Sequence, residues 1–322
     1  MRRRICYSSI NLLLALVPVL AAAQKPVVTI DLVRLGMPQD FFSRKPCTFS
    51  FNGYRAVRWL DEHQLLVAFN TTPDCTAAQR AFSGQIRIVS FDLQGHVLNQ
   101  AETSYEPGPG NLIRPLLNDG IWIGANQTVL IEVPGNHFEG RPETRDKVVV
   151  LSSELKRIQE IDTDSHGKYY DRINFEGVKA DHSAVMFWTS DGNLSHPRKC
   201  LLYSGTPLQE SGTCSTGDLD LPIVPNEYSR TSVFPKSYEI RAFVGRSSDG
   251  SRAALFGVRK SSSCELLGWF CPSSGKVVVF DPMSGRVIFE LALPLGGRAE
   301  LSPDGKHLAT LEANNLEIFS VR

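Results

Sequence analysis

The sequence predicts an all-β domain made of five small antiparallel sheets repeated about an axis. A strand, tight turn, strand signature recurs five times, with turn residues at Asp61, Asn126, Asp181, Asp249 and Asp304. A unit of that size cannot bury its own apolar faces, so neighbouring units must stack against one another. The last unit has only three strands before the chain ends at Arg322, while an unassigned strand pattern, Val27-Val-Thr-Ile-Asp-Leu-Val, lies near its start. Pairing the two ends in one sheet completes the fifth unit and leaves no inner edge open.

Alternation and enrichment in β-branched and aromatic residues mark the strands in order. The first unit runs Tyr54-Arg-Ala-Val-Arg-Trp-Leu, a turn at Asp61, Leu65-Leu-Val-Ala-Phe, then Gln85-Ile-Arg-Ile-Val-Ser-Phe and His96-Val-Leu-Asn-Gln. The second repeats it as Gly120-Ile-Trp-Ile, Val129-Leu-Ile-Glu-Val, Lys147-Val-Val-Val-Leu and Lys156-Arg-Ile-Gln-Glu-Ile. The third reads Arg172-Ile-Asn-Phe, Ala184-Val-Met-Phe-Trp, Lys199-Cys-Leu-Leu-Tyr and a short strand near Leu208. The fourth reads Ile240-Arg-Ala-Phe-Val, Arg252-Ala-Ala-Leu-Phe, Lys276-Val-Val-Val-Phe-Asp and Arg286-Val-Ile-Phe-Glu-Leu. These are the blades of a single β-propeller, most simply five blades of four antiparallel strands, over residues 24–322. Six or seven blades are the alternatives, because Gly205–Glu239 has room for further strands.

The turns have a physical basis. Pro303 presets φ for the first central position, and Asp304 and Gly305 accept turn and left-handed geometries. Asp249-Gly250 and Ser284-Gly285 repeat the device. From about residue 240 onward, the order of hydrophobic strand, Ser-Pro-Asp-Gly turn, strand, and strand ending Phe-Asp before Gly resembles WD-repeat and related Ser-Pro-Asp-Gly propeller repeats. The Gly-His and Trp-Asp dipeptides of WD repeats are absent from their expected places. The resemblance implies the propeller superfold, which hosts binding modules and several enzymes and carries no function alone.

Arg2, Arg3 and Arg4 precede an apolar run from Ile10 to Leu20 and an Ala21-Ala22-Ala23 exit. This reads as a signal peptide over residues 1–23, and Ile5-Cys6-Tyr7 suits general secretion better than twin-arginine export. A secreted or periplasmic location follows, with no membrane span expected in the remainder. Removing residues 1–23, which carry three Arg and no acid, turns 34 basic against 34 acidic side chains into 31 against 34, a net charge of −3. That balance gives no electrostatic footprint for nucleic acid.

Spacings of 65, 55, 68 and 55 residues between the turns exceed a minimal blade of about 40 to 45, so loops absorb the surplus. The long ones, Asn70–Gly84, Thr103–Asp119, Pro134–Asp146, Gly205–Glu239 and Arg259–Gly275, join second to third strands or blade to blade. They therefore share one axial face, leaving the other plain. Cys47 with Cys75, Cys200 with Cys214, and Cys264 with Cys271 are the disulfides that strand register selects, each at the long-loop face. On that face His137, Arg141, Tyr169, Tyr170, Tyr228, Arg230 and Trp269 are the candidate ligand contacts, because they combine aromatic area with fixed donors. Trp59 and Trp122 occupy matching positions on first strands and read as packing between blades.

Signatures of chemistry are missing. The chain has no G-x-S-x-G elbow, H-E-x-x-H, P-loop or G-x-G-x-x-G, and no sialidase Asp-box. Asp162-Thr-Asp164-Ser-His166-Gly167 opens like a calcium loop but presents Ile173 where a bidentate Glu is needed. No catalytic residue, metal or cofactor is assigned. The expected function is an exported noncatalytic propeller that binds a protein, peptide or glycan through its long-loop face. One alternative is a hydrolase or lyase acting on carbohydrate, recruiting Asp31, Asp171 and Glu176 near the axis. The other is a structural assembly scaffold.

Overall fold

The computed structural model describes residues 24–37, 55–71, 84–105, 120–133, 146–163, 173–179, 181–189, 199–214, 227–228, 233–259 and 274–322. Its strands form five four-stranded antiparallel sheets, a propeller-type arrangement. Strand β1 is Val28–Asp31. Sheet I holds β2 (Arg55–Trp59), β3 (Gln64–Asn70), β4 (Gly84–Asp92) and β5 (Val97–Tyr105). Sheet II holds β6 (Ile121–Ile123), β7 (Val129–Val133), β8 (Asp146–Leu151) and β9 (Arg157–Thr163). Sheet III holds β10 (Ile173–Val178), β11 (Val185–Thr189), β12 (Lys199–Ser204) and β13 (Gln209–Thr213), and sheet IV holds β14 (Tyr238–Arg246), β15 (Ala253–Arg259), β16 (Ser274–Phe280) and β17 (Val287–Pro294). Sheet V is β18 (Arg298–Leu301), β19 (His307–Glu312) and β20 (Asn315–Ser320), with β1 added outside β20.

The continuous apolar runs of the middle strands have a simple cause: each is covered on both faces. In β3, Leu65, Val67 and Phe69 pack toward sheet V, while Leu66 and Ala68 pack toward sheet II, and all five are fully buried. Val149 likewise faces sheet I while Val148 and Val150 face sheet III. Full burial of one such side chain is worth about 1.5 to 3 kcal/mol, so the seams between sheets are the core. The first strands β18, β2, β6 and β10 adjoin in turn, as do β14 and β18, which makes them the innermost strands. The packed series therefore runs IV, V, I, II, III, and no comparably packed strand pair joins III to IV among the described residues.

The two chain ends meet as the sequence implies. Val28 lies opposite Ile318 and Ile30 opposite Leu316, and the Val27 N–H adds a 2.7 Å bond to the Ile318 carbonyl. Asp31 then caps a single 3-10 turn over Leu32–Leu35, accepting from the Val33 N–H at 3.0 Å. That turn drives Leu32 and Met37 into the seam between sheets I and V, where both are fully buried. Arg87 of β4 donates to the Leu35 carbonyl and, at 2.7 Å, to Glu102. The amino-terminal segment is thus held by two sheets at once.

The Ser-x-Asp-Gly turns between first and second strands share one internal network. Ser247 Oγ donates to Asp249 at 2.6 Å and accepts from the Arg252 N–H at 2.9 Å, and Ser302 does the same with Asp304 at 2.6 Å and His307 at 2.9 Å. Gly250 and Gly305 take the left-handed φ of 70° that closes each turn. Adjacent turns are also joined, since Arg252 donates to the carbonyls of Gly305 at 2.7 Å and Val321 at 2.9 Å. In sheet III a disulfide links Cys200 to Cys214 across a Cα separation of 5.1 Å, as strand register implies.

Candidate ligand-binding cavity

All five sheets contribute to one cavity of about 550 Å³, a size within the range of small-molecule sites. Its polar groups come from the innermost strands. Arg58 and Trp59 end β2, Arg241 lies on β14, Arg298 and Glu300 lie on β18, and His182 sits in the turn from β10 to β11. Ile123, Phe256, Leu293 and Leu295 supply apolar wall. Gly245 makes the close approach of sheets IV and V possible: its φ is 146°, and an added Cβ would lie 3.3 Å from that of Leu301.

Several of these groups are held by packing and hydrogen bonds. The Trp59 main-chain N–H donates to Glu300 Oε2 at 3.0 Å, and its indole N–H donates to the Glu300 carbonyl at 3.0 Å. Arg58 donates to the carbonyls of Ile121 at 3.3 Å and Val57 at 2.8 Å, and stands 4.0 Å from Glu300. One side chain therefore braces sheets I, II and V. Arg55, buried below it, donates to the carbonyls of Leu311 at 3.3 Å and Gly296, so its charge is solvated by backbone dipoles of sheet V. Arg241 pairs with Glu239 at 2.9 Å but keeps 58% of its side chain exposed.

The residues expected on the long-loop face fare differently. Tyr228 is 5% exposed, stacks on Phe243 at 5.9 Å and meets Phe280 edge-on at 5.7 Å. Burial pushes its phenol up from the usual value. It is a packing residue of sheet IV, because an aromatic that close to β14 buries more apolar area inside than it could cover on a rim. His137, Arg141, Tyr169, Tyr170, Arg230 and Trp269 lie outside the described residues, as do Cys47, Cys75, Cys264 and Cys271. Of the carboxylates proposed near the axis, Asp31 is exposed on the outermost strand of sheet V, and Asp171 and the Glu176 side chain lie outside the described residues. Trp59 and Trp122 are buried between sheets, Trp122 edge-on to Phe175 at 5.8 Å.

The cavity cations were not among the candidates drawn from the sequence. The available signal was a charge on the first strand of a unit, as in Arg55-Ala-Val-Arg58, Ile240-Arg241-Ala and Arg298-Ala-Glu300. In a propeller that strand is the one facing the axis.

Among the described residues no group of three metal-ligating side chains occurs, and no helix is long and apolar enough to cross a membrane. No protein-family model matches this chain, and no curated protein matches it. Among solved structures, it is similar to a member of the DUF4221 family from Bacteroides vulgatus, at 10% identity over 84% of this chain and 92% of that one, TM-score 0.35. The β-propeller domain of the Trilobed protease from Pyrococcus furiosus matches at 10% identity over 83% and 69%, TM-score 0.27. TolB from Acinetobacter baumannii matches at 14% identity over 84% and 64%, TM-score 0.22.

Proposed function

We propose that the protein is an exported, noncatalytic β-propeller of the Ser-Pro-Asp-Gly type that binds a protein, peptide or glycan at its long-loop face. The observation that carries this reading is a cavity of about 550 Å³ to which all five sheets contribute, lined by arginines and apolar side chains. A site of that kind offers orientation and affinity without a reacting group. The Cys200–Cys214 disulfide and the signal-like segment at residues 1–23 support a secreted or periplasmic setting.

Carbohydrate hydrolysis is the less favoured reading. It needs two carboxyl groups roughly 5 to 10 Å apart, and Glu300 is the single carboxylate among the described residues lining the cavity. Its side chain already accepts from the Trp59 N–H. The loop assignment is tested by Trp269→Ala, Tyr169→Ala and Arg141→Ala in the secreted protein, measured against partners captured from extracellular protein and glycan libraries. Loss of capture by more than tenfold is expected. Unchanged affinity of all three for every captured partner would remove the long-loop face as the binding surface.

A further inference from the structure

Among the described residues the lining of the central cavity is chemically lopsided. Arg58, Arg241 and Arg298 approach it from three different sheets, against the one described carboxylate, Glu300. Glu300 and Arg58 are mutual neighbours at 4.0 Å, both largely buried, and Arg58 is further held by main-chain carbonyls, so this pair is part of the frame. Arg241 differs: it is mostly exposed, and its contact with Glu239 is a water-screened surface pair that a ligand can readily replace. Beside these cations, Leu295 is 50% exposed and shares the wall with Leu293 and Phe256. The exposed leucine places apolar area directly beside those cations.

We propose that the cavity binds a carboxylate carried on an apolar body, with Arg241 and Arg298 taking the carboxylate and Leu295 and Phe256 the body. A cavity with low-dielectric walls focuses the field of its cations on an entering anion. The planar guanidinium fork matches a carboxylate bidentately, which an ammonium or a neutral amide does not. The apolar wall disfavours a strongly hydrated anion such as inorganic phosphate, because desolvating it has no compensating contact there. The inference deepens the binding reading above and rests on it.

The ligand carboxylate has two natural sources, the free carboxy-terminus of a peptide and a small organic acid. Calorimetry on the intact secreted protein separates them with three probes: the peptide Ala-Ala-Phe-Leu with a free terminus, its terminal amide, and 4-phenylbutyrate. Binding of the free peptide at least tenfold tighter than the amide supports the proposal and assigns it to peptide ends. Binding of phenylbutyrate without the peptide supports it and assigns it to small acids. Equal binding of acid and amide, or no binding of either carboxylate, overturns it.

Arg241→Gln and Arg298→Gln should each weaken the carboxylate about tenfold or more, whereas Leu295→Ser should weaken acid and amide alike. Arg241 is exposed enough that its replacement leaves the fold intact, so the test stands even where Arg298→Gln does not fold. Should partner capture through the long loops persist while acid and amide bind equally, this inference alone falls. Should loop substitutions leave capture unchanged while the carboxylate preference holds, the loop assignment alone falls.

Discussion

Asp249 shows how much one turn residue can do. Its carboxylate accepts from the Ser247 hydroxyl, and from the Ser251 N–H and hydroxyl, and these bonds hold it down to about 2 from the ordinary 3.8. A carboxylate whose pKa is depressed by folding contributes stability in full above the unfolded value and loses it as pH falls through the folded one. The urea midpoint of unfolding should therefore rise from about pH 2 and level off near pH 4, and Asp249→Asn should flatten that slope. Asp181 and Asp281 are held low in the same way, chiefly by the hydroxyls of Ser183 and Ser284, and Asp92, Glu154 and Asp304 are lowered as well, so a residual slope belongs to these five together. Trp59 is the matching test in the core. Its indole N–H bonds the Glu300 carbonyl from inside a buried seam, so Trp59→Ala should cost about 3 to 5 kcal/mol and Trp59→Phe considerably less.

Among the elements, β1 does more than fill an edge. It brings Leu32 and Met37 into the seam of sheets I and V, so Leu32→Ala should cost about 2 to 5 kcal/mol in chemical denaturation. The Cys200–Cys214 bond closes a separation of 14 residues, for which loop entropy gives about 3 kcal/mol, so Cys200→Ser with Cys214→Ser should lower stability by that order. Gly275 of β16 lies beneath the Phe256 ring, where an added Cβ would come within 2.4 Å, so Gly275→Val should prevent sheet IV from packing. Most of these strands were readable from the residues, because a strand buried on both faces must be apolar throughout, as Leu65 to Phe69 and Val277 to Phe280 are. Leu208 was less readable. It is buried in the turn before β13, and the strand itself, Gln209–Thr213, is largely exposed and carries almost no apolar signal.

At the scale of the molecule, the sheets form a packed series from IV through V and I to III, with the amino-terminal strand fastening the middle of that series. Pairing of the termini was legible because the last unit lacked a strand and the first segment offered one. The cavity was not, because single arginines on first strands look solvated until the neighbouring sheets are in place, whereas long loops advertise themselves by length. The boundary between sheets III and IV is the place to look for opening, since among the described residues it lacks the strand packing of the other four. Native-state hydrogen exchange should show amides of β3, β7 and β19 protected longest and those of β13 shortest. The most direct check is a crystal structure of the protein grown with 4-phenylbutyrate. Carboxylate density within hydrogen-bond reach of Arg241 and Arg298, with β1 paired to β20, is the expected result. A cavity filled by the protein's own side chains, with the acid bound elsewhere, would contradict the account.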